Sequence, residues 1–377
     1  MPAWPDEAPF LVVSASGRAL AASAARQGLP VVVLDLFNDL DTRARSVASR
    51  AVAARGGGFD ARKLLAAAAE LCPPRACRGL VYGSGLEARA GLLDRLSRGR
   101  RLYGNRSEIV ARLKDPARFF PLLDALGIAH PEVRLTPPSP APGWLSKRAG
   151  GAGGGHVRPA GARPRAAPGR YFQRLQAGRV LSALFAADGR HARMIGCNEQ
   201  WAAAESGTRR YLYAGAVSRP PMSAEAVMRV ESLVENLVEA TGMIGLNGID
   251  FVLEGDTPYV LEVNPRPTAT LDLYDVDVRD GMFHAHLRAC GGELPSVSAT
   301  TRSRAHAIVY AQQTGARIPP SIQWPEWCTD LPQAGSVISA GAPVCSVHAS
   351  AASSDAARTL VLARHDAIAS LLREKVA

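Results

Sequence analysis

At 377 residues, with 47% hydrophobic and 21% charged residues, the chain is globular and too long for one ordinary core, so two or three domains are expected. The formal net charge of +10 comes mostly from scattered arginines with no aromatic-interleaved basic stripe, which argues against nucleic acid and for anionic small molecules. No apolar run approaches bilayer-spanning length, and Met1 to Glu7 place no basic region ahead of an apolar one, so no membrane partner is expected and the expected location is the cytoplasm.

Six cysteines (Cys72, Cys77, Cys197, Cys290, Cys328, Cys345) form no Cys-x-x-Cys pair, which leaves reduced thiols rather than a zinc module or a disulfide framework. Phe10-Leu11-Val12-Val13 reads as a strand ending in Ser14-Ala15-Ser16-Gly17. An alanine-rich helix runs to about Gln27, Gly28 stops it, and Val31-Val32-Val33-Leu34 is a second strand ending in Asp35. This β-α-β opening predicts a parallel sheet. Its loop has one glycine where the dinucleotide fingerprint needs three, which sets a nicotinamide oxidoreductase aside. Gly79-Leu80-Val81-Tyr82 then leads to Gly83-Ser84-Gly85-Leu86-Glu87 at the carboxyl edge of the sheet, where α/β proteins bind ligands. Glu87 there is either a substrate contact or, the plainer reading, a solvated carboxylate at a helix start.

Around residue 104 the character changes. Gly104-Asn105-Arg106-Ser107 precedes a helix, and Lys114-Asp115-Pro116 is expected to start another running to Gly127. Lysine occurs only at Lys63, Lys114, Lys147 and Lys375. An ammonium is a point charge on phosphate where arginine is a planar fork, so Lys114 and Lys147 gain weight from their neighbours, although chance accounts for either alone. A Pro-rich surface connection, Thr136 to Pro142, leads to the strand Trp144-Leu145-Ser146-Lys147-Arg148. Gly150, Gly151, Gly153, Gly154 and Gly155 follow, a tract that cannot be helix and whose amides can approach an anion closely. It lacks the Gly-Lys-Ser/Thr ending of a Walker A loop, and a flexible linker has the same composition.

Arg170 to Gly178 and Val180 to Gly189 read as a strand, a turn and a longer strand. Apolar spacing predicts a helix from Ser223 to Thr241. Then come the most informative residues: Gly248-Ile249-Asp250-Phe251, the turn Glu254 to Pro258, and Leu261-Glu262-Val263-Asn264-Pro265-Arg266. A hairpin would bring Asp250, Glu262 and Asn264 together, with Glu262 and Asn264 on one face. That oxygen set suits Mg²⁺, and Arg266 would join it if the strand continued, giving a phosphate-handling arrangement. Asp272, Asp275 and Asp277 read as a solvated acidic loop or as help for an amine or cation. His284 and His286 on a helix face different directions. Asn198-Glu199-Gln200-Trp201 follows a strand and is a weak candidate for facing nucleotide or substrate. From Arg304 onward two strands and a final helix, Ser353 to Leu372, suggest a small α+β appendix.

In this order the pieces resemble the ATP-grasp superfamily over nearly the whole chain, most specifically in Asp250-Phe251 and Glu262-Val263-Asn264-Pro265-Arg266. The opening strand-loop-helix, Asp35 to Asp39, Gly83 to Glu87, Trp324 to Trp327 and Asp330 to Pro332 look most like its branch of ATP-dependent carboligases related to biotin carboxylase. The resemblance implies an α/β chain, α+β in the grasp halves. It divides into an N-terminal three-layer parallel-sheet domain (1–104), a small lid with linker strand (105–178), a large domain with the metal site (179–300) and a C-terminal α+β extension (301–377). It also implies ATP with Mg²⁺, or Mn²⁺ in its place. Lys114 and Lys147 would lie near the phosphates, with Gly151, Gly153 and Gly154 closing over them. Adenine would rest against Gln173, Arg174, Leu175 and Gln176, the metal would sit on Asp250, Glu262 and Asn264, and Arg266 would steady the transferred phosphoryl group. Ser16, Glu87 and Arg266 are substrate candidates, and a homodimer is in keeping with the superfamily.

The implied reaction is activation of a small-molecule carboxylate as an acyl phosphate, followed by capture by an amine. Carboxylases of the superfamily carry a glutamate just past the Glu-x-Asn-x-Arg element, whereas here Pro267-Thr268-Ala269-Thr270 follow Arg266, which favours amide formation over bicarbonate chemistry. Association of the branch with one-carbon carriers of the methanopterin and methanofuran type suggests addition of an amino acid such as glutamate. Biotin-carboxylase-like carboxylation and a non-catalytic ATP-binding partner are the alternatives.

Overall fold

A computed structural model describes residues 7–55, 58–203, 210–298, 300–312 and 316–376. Residues 1–6, which carry most of the opening segment considered above, lie outside the described residues. The chain begins with β1 (Phe10–Val13), α1 (Arg18–Ala25), β2 (Val31–Asp35), α2 (Leu40–Ala44), β3 (Ala48–Ala51), the small pair β4 (Ala54–Arg55) and β5 (Gly58–Phe59), and α3 (Ala61–Leu71). Next come β6 (Gly79–Tyr82), α4 (Gly91–Ser97) and β7 (Leu102–Tyr103). The five main strands form a parallel sheet in the order β3-β2-β1-β6-β7. β1 and residues 31–34 of β2 are unbroken apolar runs because helices cover both faces and leave no polar side to alternate with.

Helices α5 (Ser107–Lys114) and α6 (Pro116–Ala125) meet at Asp115, whose carboxylate caps α6 by accepting from the Ala117 amide at 3.0 Å. Lys114 is therefore the last residue of one helix and not the start of the next. Pro116 fits the first helical position but disfavours helical backbone at the residue before it, so the break falls at Asp115. A four-stranded sheet, β10-β9-β11-β8, follows from β8 (Val133–Arg134), β9 (Trp144–Arg148), β10 (Arg158–Pro159) and β11 (Arg170–Arg174).

The rest is built on an eight-stranded sheet from β12 (Arg179–Asp188), β13 (Ala192–Ala202), β14 (Tyr213–Ser218), β15 (Ile244–Glu254), β16 (Thr257–Asn264), β17 (Ser303–Tyr310), β19 (Cys328–Thr329) and β21 (Pro343–Ala351); β18 (Ala316–Arg317) and β20 (Val337–Ile338) pair apart from it. The order β16-β15-β12-β13-β14-β17-β21-β19 makes the C-terminal strands a continuation of the large sheet. Helix α7 (Ala224–Thr241) is capped by Ser223, ends on left-handed Gly242, and lays Val230, Leu233, Val234, Leu237 and Val238 on the sheet. α8 (Gly281–Ala289) and α9 (Ser354–Val376) complete the fold.

One core joins the first sheet to the large one. Phe10, Leu20 and Ala24 pack with Leu184, Leu246, Tyr274 and Phe283, so the carboxyl-edge loops of β1, β2 and β6 are held over the large sheet. Among the described residues no helix is long and apolar enough to cross a membrane.

Candidate functional site

The β15–β16 hairpin places Asp250 directly opposite Glu262 and Gly248 opposite Asn264, with a register shift just after Asp250. Glu262 and Asn264 thus reach the face that Asp250 occupies. Asn264 Nδ2 donates to Asp250 Oδ2 at 2.9 Å, and Gln200 Nε2 donates to Asp250 Oδ1 at 3.0 Å. Lys114 Nζ donates to Asn264 Oδ1 at 2.8 Å and to Glu262 Oε2 at 3.3 Å. Burial, and then the Glu262 charge, push the Asp250 carboxyl up; burial also opposes ionisation of Glu262, but Lys114 and Lys147 outweigh it and hold that carboxyl down. Two crowded carboxylates, one of them inclined to keep a proton, beside a carboxamide oxygen fit a hard divalent cation such as Mg²⁺.

Strand β16 stops at Asn264, so Arg266 arrives by a different route from simple alternation. The Pro265 carbonyl accepts from the Tyr82 hydroxyl and from Asn105 Nδ2, each at 3.0 Å, which pins the chain between Asn264 and Arg266. Arg266 Nη2 then lies 3.3 Å from Asn264 Oδ1, and its Nε donates to Glu87 Oε1 at 2.5 Å. Glu87 is only 5% exposed and also accepts from the Gly85 amide at 2.6 Å. This corrects its reading as a solvated carboxylate: burial alone would raise it, and Arg266 and then Lys114 bring the net shift below the usual value.

Lys147 sits on β9, paired in register with Tyr171 of β11, and donates to Gln173 Oε1 at 2.5 Å. Burial lowers its pKa while Glu262 and Asp250 oppose the shift. Gln173, Arg174, Leu175 and Gln176 border a cavity of about 800 Å³ that also takes in Lys147, Gly153, Gly154, Asp250, Glu262, Asn264 and Arg266. Apolar Leu145, Val180 and Leu175 also line it, the last two partly exposed. The amides of Arg174 and Leu175 are donated to Glu132 and Gly143 carbonyls, so those two amides are already engaged. Gly151 packs on the His156 ring, while the Tyr213 amide donates to the Gly153 carbonyl at 3.0 Å, docking the glycine loop on β14.

Ser16 is turned to Asp330, 3.2 Å away. Asp272, Asp275 and Asp277 do not form a solvated loop: Asp272 pairs with Arg18, Asp275 with Arg26, and Asp277 with Arg304 and Arg219. Asn198 to Trp201 lie within β13; Gln200 and Trp201 line the cavity, while Asn198 is buried and Glu199 pairs with Arg179 and Arg358. His286 is buried, its Nδ1 accepting from the Leu246 amide, and His284 faces Asp280. Sequence reasoning missed Tyr82 and Asn105, which have no motif and act through contacts made far along the chain, whereas Gln200 belongs to the Asn198 to Trp201 candidate.

Residues 114–270 match the family model described as the ATP-grasp domain. A stretch of 99 residues is 33% identical to formate-dependent phosphoribosylglycinamide formyltransferase of Shewanella frigidimarina, covering 26% of this chain and 24% of that protein. The match thus spans about a quarter of the length of the curated relative. The fold is similar to the biotin carboxylase domain of a single-chain bacterial carboxylase (TM-score 0.69, 16% identity, 92% of this chain and 85% of that one). It is equally similar to L-amino acid ligase from Bacillus licheniformis (TM-score 0.69, 12% identity, 96% of this chain and 98% of that one).

Proposed function

The chain carries an ATP-grasp domain over residues 114–270, and from that premise we propose that the protein is an ATP-dependent ligase that activates a carboxylate as an acyl phosphate and joins it to an amine. The observation that carries this reading is the meeting of Lys147, Asp250, Glu262, Asn264 and Arg266 in one cavity closed on one side by the glycine loop.

Asp250, Glu262 and Asn264 would hold Mg²⁺, which when bound neutralises charge on the nucleotide phosphates. Lys147, from the lid side, and Lys114, from beneath the metal ligands, supply fixed positive charge. Arg266, oriented by Glu87, presents the rest of its guanidinium to the phosphoryl group in flight. The substrate carboxylate oxygen bonds to the γ-phosphorus as the bond to ADP breaks. The amine nitrogen then bonds to the acyl carbon as inorganic phosphate departs with the electron pair, and the amine loses a proton. Positioning and charge neutralisation suffice, so no protein nucleophile is needed. The glycine loop docked on Tyr213 shields an acyl phosphate from water.

Carboxylation with bicarbonate is the second reading, suggested by the fold shared with biotin carboxylase. Thr268, Ala269 and Thr270 line the cavity just beyond Arg266, with no acid among them, which favours the ligase. A finer reading, addition of an amino acid such as glutamate to a pterin- or furan-type one-carbon carrier, rests on the resemblance of the branch. The test is ADP and phosphate release by purified protein with Mg²⁺ against pairs of carboxylates and amines, including such precursors. Release that needs both partners, and that Glu262→Gln or Lys147→Ala abolishes, is expected. Turnover untouched by either substitution would overturn the site, and stimulation by bicarbonate alone would favour carboxylation.

A further inference from the structure

Away from the phosphate end, a second cluster forms where the large sheet meets the first domain. His306 on β17 and His348 on β21 are in direct register, so both rings stand on one face, with centroids 6.0 Å apart. Asp272, in the short 3₁₀ turn Ala269–Leu273, brings its Oδ1 to 3.2 Å from His306 Nδ1. One ligand atom from each of the three residues lies within 4.8 Å of the other two. Other bonds orient all three. The Tyr213 hydroxyl is 2.6 Å from His306 Nε2, Thr329 Oγ1 is 2.8 Å from His348 Nε2, and Arg18 Nη2 donates to Asp272 Oδ2 at 3.0 Å. Such outer hydrogen bonds fix the ring and carboxylate orientation of metal ligands.

Carboxylates crowd the neighbourhood. Arg18 faces Asp272 at 3.0 Å, Asp330 at 3.2 Å and Asp41 at 3.9 Å. Nearby, Asp39 is pushed up to about 8, by burial first and then by Asp330, Asp35 and Asp41.

We propose that Asp272, His306 and His348 form a three-ligand site for a borderline divalent cation of the zinc type, separate from the Mg²⁺ site at Asp250, Glu262 and Asn264. Two imidazoles and one carboxylate favour such an ion over Mg²⁺, which prefers an all-oxygen octahedron. A dication there would offset the carboxylates gathered on Arg18. It would also tie the turn after the phosphate site to the C-terminal strands. Tyr213, which bonds His306 and lines the nucleotide cavity, links the cation to the glycine-loop dock. The site stands on these contacts alone and does not depend on the ligase reading.

The test strips the full-length protein with chelator and titrates it with Zn²⁺ in excess Mg²⁺, reading retained metal after gel filtration, competition with a chromophoric chelator, and melting temperature. One retained equivalent and a higher melting temperature are expected. Asp272→Asn, His306→Gln and His348→Gln should each weaken Zn²⁺ binding by roughly 10–100-fold or more, with Glu262→Gln unchanged. Co²⁺ in the wild-type protein reads the ligands without any substitution, and a four-coordinate absorption spectrum is expected. No retained Zn²⁺, a Co²⁺ spectrum of octahedral type, or binding that survives both histidine substitutions would overturn the proposal.

Discussion

The Arg266 guanidinium, just past the β15–β16 hairpin, donates to the Glu87 carboxylate 2.5 Å away, although the two residues are 179 apart in sequence. The pair is almost wholly buried, with side-chain exposures of 8% and 2%. Glu87 therefore aims the arginine from the edge of the first sheet, and the proposed phosphate site is completed only when the two sheets pack.

Glu87→Gln keeps the shape and removes the charge. Because breaking one half of a buried pair typically costs about 3–5 kcal/mol, part of that loss should appear as a lower melting temperature. The misaimed arginine should reduce ATP turnover by roughly 10²-fold, a loss of the size seen when a positioned group shifts by about 1 Å. The check is kcat for ADP release beside a thermal melt. Full activity in a folded variant would show that Arg266 needs no such partner.

Gly154 carries a positive φ of 73°, and a Cβ there would fall 1.7 Å from the Tyr211 carbonyl oxygen. Gly154→Ala should keep the glycine loop off β14, since left-handed backbone costs an alanine about 1–2 kcal/mol before any clash. Turnover should fall by roughly tenfold or more while the melting temperature barely moves, because the loop adds little to any core. Hydrolysis uncoupled from product, read as ADP released in excess of amide formed, should rise.

Asp39 sets a pH dependence of stability. Its folded pKa of about 8 lies above the unfolded value, so its favourable contribution is complete below about pH 4 and is lost as pH rises through 8. Asp39→Asn should leave stability nearly unchanged near pH 4. At pH 9 in metal-free buffer it should raise the melting temperature by roughly 2–4 °C or more. A variant less stable than wild type at pH 9 would contradict the sign.

The strands Trp144–Arg148 and Val31–Asp35, the helix capped by Ser223 and the β15–β16 hairpin were legible because each is set by local signals: apolar period, a cap, a glycine stop or a turn. Lys114 was misplaced by one helix because Asp115-Pro116 ends one helix and starts another within a single residue. Glu87, Asp272, Asp275 and Asp277 looked solvated because the residues directly beside them carry no positive charge to pair with. Their partners, Arg266, Arg18, Arg26 and Arg304, come from other elements.

By itself the sequence determined the chemistry available at the proposed phosphate end: two carboxylates and a carboxamide on one hairpin, two of the four lysines in a chain whose other cations are arginine, and a glycine tract with freedom at positive φ. Strand alternation and backbone sterics act over a few residues, so they can be read locally. Tertiary structure alone decided that Glu87 aims Arg266, that Tyr82 and Asn105 pin Pro265, and that His306, His348 and Asp272 meet around a crowd of carboxylates. Those relations depend on how two sheets share one core, and packing of that kind leaves no periodic trace along the chain.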